Sequence, residues 1–194
     1  GIATLSIEPL FFRGVKKYFS NVKFDLVLYS TPPITFTKVI KYIKKKDGAR
    51  SYLLLKDIFP QNAVDMKMMS QTGLIYRFFR YKEKELYRVS DVIGCMSEAN
   101  RQYLYQHNPG IEKGKVEVNP NSIEPVPVTE YSALQKAEIK RRYQIHDDRK
   151  VFLYGGNLGI PQGIDFLLET IASTGKDHRM FFLIVGSGTE YERI

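Results

Sequence analysis

The residues best suited to chemistry form a glycine-rich turn between a strand-like and a helix-like run, Tyr154-Gly-Gly-Asn-Leu-Gly-Ile-Pro-Gln-Gly-Ile-Asp165. Glycines let backbone N–H groups approach a ligand closely, and the N-terminus of the next helix carries a partial positive charge. These features suit a diphosphate, although many such turns have no role beyond turn geometry. The turn matches neither the G-x-G-x-x-G fingerprint nor the G-x-x-x-x-G-K-[S/T] loop. A second turn, Gly186-Ser-Gly188, ends the next strand-like run, so both are expected at the carboxyl edge of one sheet, where α/β folds bind ligands.

Histidine and cysteine offer weaker candidates. His107, His146 and His178 stand in unrelated, loop-like places, and no spacing of His, Cys, Asp and Glu suits a metal site. Cys95 lies in an apolar run without a basic neighbour, so we expect a buried, inert thiol. As the chain's single cysteine it forms no intrachain disulfide, which favours a reducing compartment.

Strands and helices must position these turns, and the pattern of the 194-residue sequence predicts an α/β fold. Strands are predicted over residues 24–30, 51–60, 91–97, 150–159 and 180–188, with a short one from residue 115. Helices are predicted over residues 8–20, 36–47, 74–90, 98–107, 132–143 and 163–173. Such alternation favours parallel sheets with helices on both faces.

Two helices have distinct apolar and basic sides. In the first the apolar stripe is Phe36, Val39, Ile40 and Ile43, and lysines occupy the rest. In the second, which begins at Leu74, the residues expected to face the core are Ile75, Phe78, Phe79, Leu86 and Val89, whereas another side holds Arg77, Arg80, Lys84 and Arg88.

A proline-rich stretch from Glu124 predicts a linker between two domains. We assign residues 1–125 to an N-terminal Rossmann-like domain that lacks its first strands, and residues 126–149 to a linker and helix. Residues 150–194 are then the start of a C-terminal Rossmann-like domain. Two strands make only a marginal sheet in water, so we expect an incomplete copy of a larger two-domain protein.

Basic residues concentrate in the first part of the chain. Residues 11–50 hold ten Lys and Arg against two Asp and Glu, whereas residues 126–194 hold nine of each. Such a patch suits a phosphate-rich partner, either nucleic acid or an anionic membrane, and a solvated lysine face is the plain alternative. A content of 43% hydrophobic residues excludes disordered and disulfide-scaffold classes. No apolar run is long enough to span a membrane, and the N-terminus does not predict a signal peptide.

Six segments, in order, resemble bacterial glycosyltransferase family four, whose fold is the two-domain GT-B type. They are DLVLYSTPP, LLLKDIFPQ, YRVSDVIGCMSEANRQYL, KVEVNPNSIE, VFLYGGNLGIPQGIDFLLETI and FFLIVGSGTEYERI. The segments depart from the family pattern at Phe59, Gln61, Ser90, Ser122 and Glu124. The family's first glycine-rich loop is absent at the N-terminus, and its Glu-x7-Glu motif is expected beyond Ile194. We therefore expect the isolated chain to be inactive.

The resemblance implies roles for individual residues. Those expected to face the donor diphosphate and nucleotide are Gly156, Asn157, Gly159, Gln162, Gly163, Gly186 and Gly188. Asp57 is the catalytic candidate, at the end of a strand that points into the cleft, with a turn or helix-capping role as the alternative. Ser97 and Asn121 are candidate acceptor or cleft residues, although cap and turn roles fit them better.

The resemblance also implies a retaining transfer of a sugar from a nucleotide-diphosphate donor to a glycan or undecaprenyl-diphosphate-linked acceptor. The product is expected to be a cell-surface polysaccharide such as capsule or lipopolysaccharide, and no metal or cofactor is implied. Relatives act at the cytoplasmic leaflet, so we expect a cytoplasmic protein bound peripherally to the inner face of the plasma membrane. The basic side chains predicted to face this anionic surface are Lys41, Lys44, Lys45, Lys46, Arg77, Arg80 and Lys84.

Two other functions stay open. A UDP-sugar 2-epimerase shares the GT-B fold, but the N-x-G-x-x-Q-G-x-D loop favours the transferase. A basic nucleic-acid-binding protein would account for the charge. The chain has no recognised nucleic-acid motif, so we expect no nucleic-acid partner.

Overall fold

The computed structural model describes residues 2–175 and 177–194, and the chain divides into two compact units, Gly1–Ile123 and Glu124–Ile194. The helices of the first unit are α1 (Ile2–Tyr18), α2 (Thr37–Asp47), α3 (Gln61–Asp65), α4 (Leu74–Val89) and α5 (Glu98–His107). Its strands are β1 (Leu26–Ser30), β2 (Arg50–Leu55), β3 (Val92–Cys95) and β4 (Val116–Val118). They form one parallel sheet in the order β1-β2-β3-β4. The predicted α/β class with parallel sheets is confirmed.

The core of the first unit lies against one face of this sheet. Side chains alternate between the faces of a strand, and Leu53 and Ile93 are fully buried against helical residues that include Leu86 and Leu104. On the opposite face Leu26 and Leu28 are more than half exposed. The prediction that helices pack on both faces of the sheet is therefore wrong for this face among the described residues.

Helix α4 differs from its predicted orientation. Leu86 and Val89 are buried as expected, but Ile75 and Phe78 are exposed. Glu83 and Tyr87 are buried instead, because the Tyr87 hydroxyl donates a 2.5 Å hydrogen bond to the carboxylate of Glu83. Arg80 pairs with the same carboxylate, and the two partners offset part of the cost of burying the charge, although burial still leaves the pKa of Glu83 raised.

The second unit contains α6 (Ala133–Arg142), β5 (Lys150–Asn157), α7 (Ile164–Thr174) and β6 (Met180–Ser187). A capping box starts α6, in which the Ser132 hydroxyl accepts from the Gln135 N–H and the Gln135 side chain accepts from the Ser132 N–H. Strands β5 and β6 pair in parallel along all eight residues. Much of β5 is exposed, with Leu153 at 67%.

Candidate functional site

Asp57 lies two residues beyond the carboxyl end of β2, not inside a strand that runs to Pro60. The strand ends early because the chain turns toward β1. The buried Thr31 hydroxyl donates to the Asp57 carbonyl at 3.0 Å and lies 3.2 Å from the Asp57 N–H. This contact fixes the backbone of Asp57 and leaves its side chain exposed, so the carboxylate is positioned at the carboxyl edge without being buried.

Ser97 caps a helix. Its hydroxyl accepts a hydrogen bond from the Asn100 N–H at 3.2 Å, which satisfies one of the free donors at the start of α5. Asn121 lies in an exposed segment without regular structure after β4. The structure thus gives Ser97 a capping role, and both residues follow strands that end at the same edge as β2.

A polar cluster that the sequence analysis missed lies at the carboxyl ends of β3 and β4. The Tyr52 hydroxyl donates to Glu117 at 2.6 Å and accepts from the Asn119 side chain at 2.8 Å. Burial and the neighbouring Glu117 both raise the pKa of Tyr52. A Cβ at Gly94 would lie 2.4 Å from the Tyr52 hydroxyl, so glycine makes room for the ring. No local pattern could reveal this cluster, because its members come from three strands.

In the second unit the glycine-rich turn opens directly at the end of β5. The Asn157 side-chain amide donates to Gln162 Oε1 at 3.1 Å, and this bond closes the turn across the buried Gly159. A Cβ at Gly159 would approach both amides within 3.0 Å. Gly163 has φ +66°, a left-handed conformation that favours glycine. The predicted donor residues of this loop therefore come together around one short turn.

Two of the predicted donor glycines have a packing role. Gly186 lies opposite Gly156 in the β5–β6 pair, and a Cβ there would lie 1.9 Å from the Gly156 carbonyl oxygen. A Cβ at Gly188 would lie 2.2 Å from the Leu158 carbonyl oxygen. Close backbone contact between the turns accounts for glycine at both positions, whether or not a nucleotide is also bound there.

Helix α7 begins directly after Gly163, its N-cap residue, and no side chain among the described residues caps it. Its first turn carries Asp165, whose carboxylate accepts from Arg193 at 2.5 Å. Arg193 also pairs with the buried Glu190. The ion pair reduces the negative charge next to the uncapped N–H groups of this helix N-terminus.

The seven basic residues predicted to face a membrane differ in whether their side chains have partners in the structure. The Lys44 ammonium donates to Asp91 at 2.8 Å, the Lys46 ammonium donates to the Val22 carbonyl at 2.7 Å, and Arg80 pairs with Glu83. These three are engaged inside the first unit. Lys41 approaches Glu85 at 4.0 Å, whereas the side chains of Lys45, Arg77 and Lys84 are exposed and make no hydrogen bond or ion pair among the described residues.

Cys95 is fully buried, and burial raises the pKa of its thiol to about 11. The expectation of a buried thiol is confirmed. The described part of the chain contains no group of three or more His, Cys, Asp and Glu side chains arranged to hold a metal ion. None of its helices has the length and apolar character needed to cross a bilayer.

Parallel α/β units with a glycine turn after a strand are of the Rossmann-like type found in GT-B glycosyltransferases. No family model matches the chain. It is 26% identical over 175 residues to the probable glycosyltransferase WbjE of Pseudomonas aeruginosa. It is 24% identical over 170 residues to the putative colanic acid biosynthesis glycosyl transferase WcaI of Escherichia coli K12. Each alignment covers 84% of this chain but 40% of the relative, so the chain spans about two fifths of the length of these relatives. The similarity supports a glycosyltransferase role.

Proposed function

We propose that this chain is part of a retaining, metal-independent glycosyltransferase that moves a hexose from a nucleotide-diphosphate donor to a lipid-linked glycan. The product is a cell-surface polysaccharide. The first unit is the acceptor-side domain and the second binds the donor. The observation that carries this proposal is the similarity to two glycosyltransferases along 84% of the chain, which includes the glycine turn after β5.

The donor diphosphate meets the turn formed by Gly156, Asn157, Gly159, Gln162 and Gly163. The turn supports this role because it joins a strand end to the uncapped N-terminus of α7. Backbone N–H groups in such a place are fixed dipoles, and they stabilise the charge that develops on a diphosphate leaving group. The neutral Gln162 adds no charge, so the backbone supplies most of the attraction.

The acceptor meets the carboxyl edge of the first sheet. Asp57 is placed there by the Thr31 contact with its carboxylate exposed, as an acceptor-contacting or catalytic group requires. Ser97 and Asn121 follow neighbouring strands at this edge, and Asn121 offers an exposed amide for sugar hydroxyls.

Binding of UDP or GDP to the 194-residue chain tests the donor site, because it does not require turnover. We expect the amide resonances of Gly156, Gly159 and Gly163 to shift during titration. The Gln162→Glu substitution keeps an acceptor for the Asn157 amide but adds a negative charge beside the diphosphate. We expect it to weaken binding about tenfold, which corresponds to about 1.4 kcal/mol.

Gln135→Glu is the matched control, since it makes the same chemical change at the capping box of α6 and keeps that box intact. It should leave nucleotide binding unchanged. Unshifted glycine resonances with both nucleotides, or equal losses in the two variants, would remove this turn from the donor site.

We also propose that α1 brings the protein to an anionic membrane at the cytoplasmic leaflet. The helix exposes Leu10, Phe11 and Tyr18, which are each more than half accessible, beside Arg13 and Lys17. Exposed aromatic and aliphatic side chains with flanking cations are typical of helices that lie in a membrane interface. Each cation near such a surface contributes about 1 kcal/mol, so a few give reversible binding.

Flotation with vesicles of neutral or anionic lipid tests this proposal. Binding should rise with the anionic fraction and fall with salt, and Lys17→Glu or Lys45→Glu should weaken it. Lys44 and Lys46 are unsuitable for this purpose, because their ammonium groups hold the fold together. Lys113→Glu, in an exposed loop before β4, is the control for a general loss of positive charge. Equally poor recruitment by both vesicle types would mean that the basic surface is only solvated.

A further inference from the structure

A cavity of about 390 Å³ lies at the amino-terminal edge of the first sheet, between α4, α5 and the loop that leads into β4. Lys115 stands directly before β4, whereas Asp57 follows the end of β2. Since the strands are parallel, the cavity and the Asp57 carboxylate lie at opposite edges of the sheet. The volume falls in the range of sites for small ligands.

Most charged side chains that line the cavity are basic. They are Lys84 and Arg88 from the last two turns of α4, and Lys115 from the loop, against a single carboxylate, Glu112. Among the described residues none of the three cations forms an ion pair within 4.0 Å. The Lys115 ammonium donates one hydrogen bond within the described part of the chain, to the Arg88 carbonyl at 3.4 Å.

Lys115 has an unusual environment for a lysine. It is half-buried, and burial lowers its pKa. The attraction of Asp91 opposes this effect but is smaller, so the pKa stays lowered. A half-buried ammonium with no described carboxylate within 4.0 Å is poorly compensated, because its lost hydration is replaced by one long hydrogen bond and by the weaker attraction of more distant carboxylates. The helix dipole favours a cation at Arg88, in the last turn of α4, but Lys115 is not on a helix.

Another part of the cavity wall, at the end of α5, is held in place by side-chain hydrogen bonds. Asn108 is buried, and its amide donates to the Leu104 carbonyl at 2.9 Å. The Arg80 guanidinium donates to the Asn108 side chain and to the His107 carbonyl, each at 2.7 Å. The cavity is therefore shaped before any ligand enters, which lowers the ordering cost of binding.

We propose that this cavity binds a phosphate monoester, with Lys115 and Arg88 as the principal ligands of the phosphate and Lys84 beside them. A phosphate group presents acceptor oxygens to several cations at once, and charge-assisted hydrogen bonds of this kind are the strong ones. The site is separate from the donor turn, which belongs to the second unit.

Titration of the 194-residue chain with glycerol 3-phosphate, followed by amide NMR, tests the proposal. The resonances of Gly110 and Ile111, which line the cavity, should shift at millimolar concentration. Lys115→Gln and Arg88→Gln should each weaken binding about tenfold. Glu112→Gln should strengthen it, because the one opposing charge is removed.

Lys113→Gln is the matched control, since Lys113 lies in the same loop but does not line this cavity. Vesicles containing phosphatidic acid, compared with free glycerol 3-phosphate, distinguish a lipid headgroup from a soluble ester. Urea unfolding of each variant separates lost binding from lost folding, and Arg88→Gln serves if Lys115→Gln does not fold. Unshifted Gly110 and Ile111 resonances, or equal weakening by Lys113→Gln, would overturn the proposal.

Discussion

Lys44 and Lys45 are neighbours in one run of three lysines, yet their ammonium groups have opposite surroundings. The Lys44 ammonium lies 2.8 Å from both carboxylate oxygens of Asp91 and donates to the Val89 carbonyl at 2.9 Å. Ser51 completes the cluster, because its N–H donates to Asp91 at 2.8 Å. These contacts join α2, β2 and the turn between α4 and β3.

We predict that Lys44→Met destabilises the first unit by about 1–2 kcal/mol. A hydrogen bond to a charged group is worth about 1.5–3 kcal/mol, and the lower end applies because the Asp91 side chain is 35% exposed and solvent screens the pair. Lys45→Met should change the stability by less than about 0.5 kcal/mol, since the Lys45 side chain is exposed and has no ion pair with any residue that the structure describes.

Hydrogen exchange of the β2 amides measures this difference within the first unit. The Lys44 variant should exchange about tenfold faster through global opening, and the Lys45 variant at the rate of the unchanged protein. Burial, the largest single influence on Asp91, raises its pKa, but the hydrogen bonds from Lys44 and Ser51 outweigh it and leave the pKa lowered. The contribution is thus present above the unfolded pKa of about 3.9 and lost as the pH falls through the lower folded pKa. Equal exchange in the two variants at neutral pH would refute this account.

Three further predictions follow from contacts and burial in the two units. Gly186→Ala should destabilise the β5–β6 pair by more than about 1 kcal/mol in thermal unfolding, because the new Cβ would lie 1.9 Å from the Gly156 carbonyl oxygen. Gly155→Ala should be tolerated, because a Cβ there has no described atom within 4 Å. Ser97→Ala should cost about 1 kcal/mol in urea unfolding through loss of the α5 cap, and Ser97→Asp should retain most of that stability. Cys95 should react with iodoacetamide at pH 8 far more slowly than after unfolding, because its pKa is raised to about 11 and its side chain is buried; similar rates in both states would contradict this.

Local periodicity predicted several elements because it needs no information from the rest of the chain. The stripe of Val39, Ile40 and Ile43 is buried as the helical spacing indicates, and Gly48 ends α2 in a left-handed conformation. Ser97 caps α5 as its position before an amphipathic segment predicts. These features depend on neighbours three or four residues away.

The errors arose where distant residues decide the outcome. The sequence predicts a strand that ends at Pro60, but β2 ends at Leu55 and Thr31 fixes the turn at Asp57. The exposed Ile75 and the buried Glu83 of α4 also depart from the periodic pattern, because Tyr87 and Arg80 make burial of a carboxylate acceptable. The Tyr52 cluster was missed for the same reason, since its partners lie 65 and 67 residues away.

The glycines of the second unit determine how the donor proposal has to be tested. At Gly186 a side chain would meet backbone of β5, and at Gly163 the left-handed conformation favours glycine by itself. Loss of nucleotide binding after either substitution would therefore be expected from misfolding alone. Gln162 is different, because its amide is exposed and its contact with Asn157 survives a change to glutamate. A charge added there alters what the turn attracts and leaves the backbone unchanged, so Gln162 separates a ligand role from a structural one.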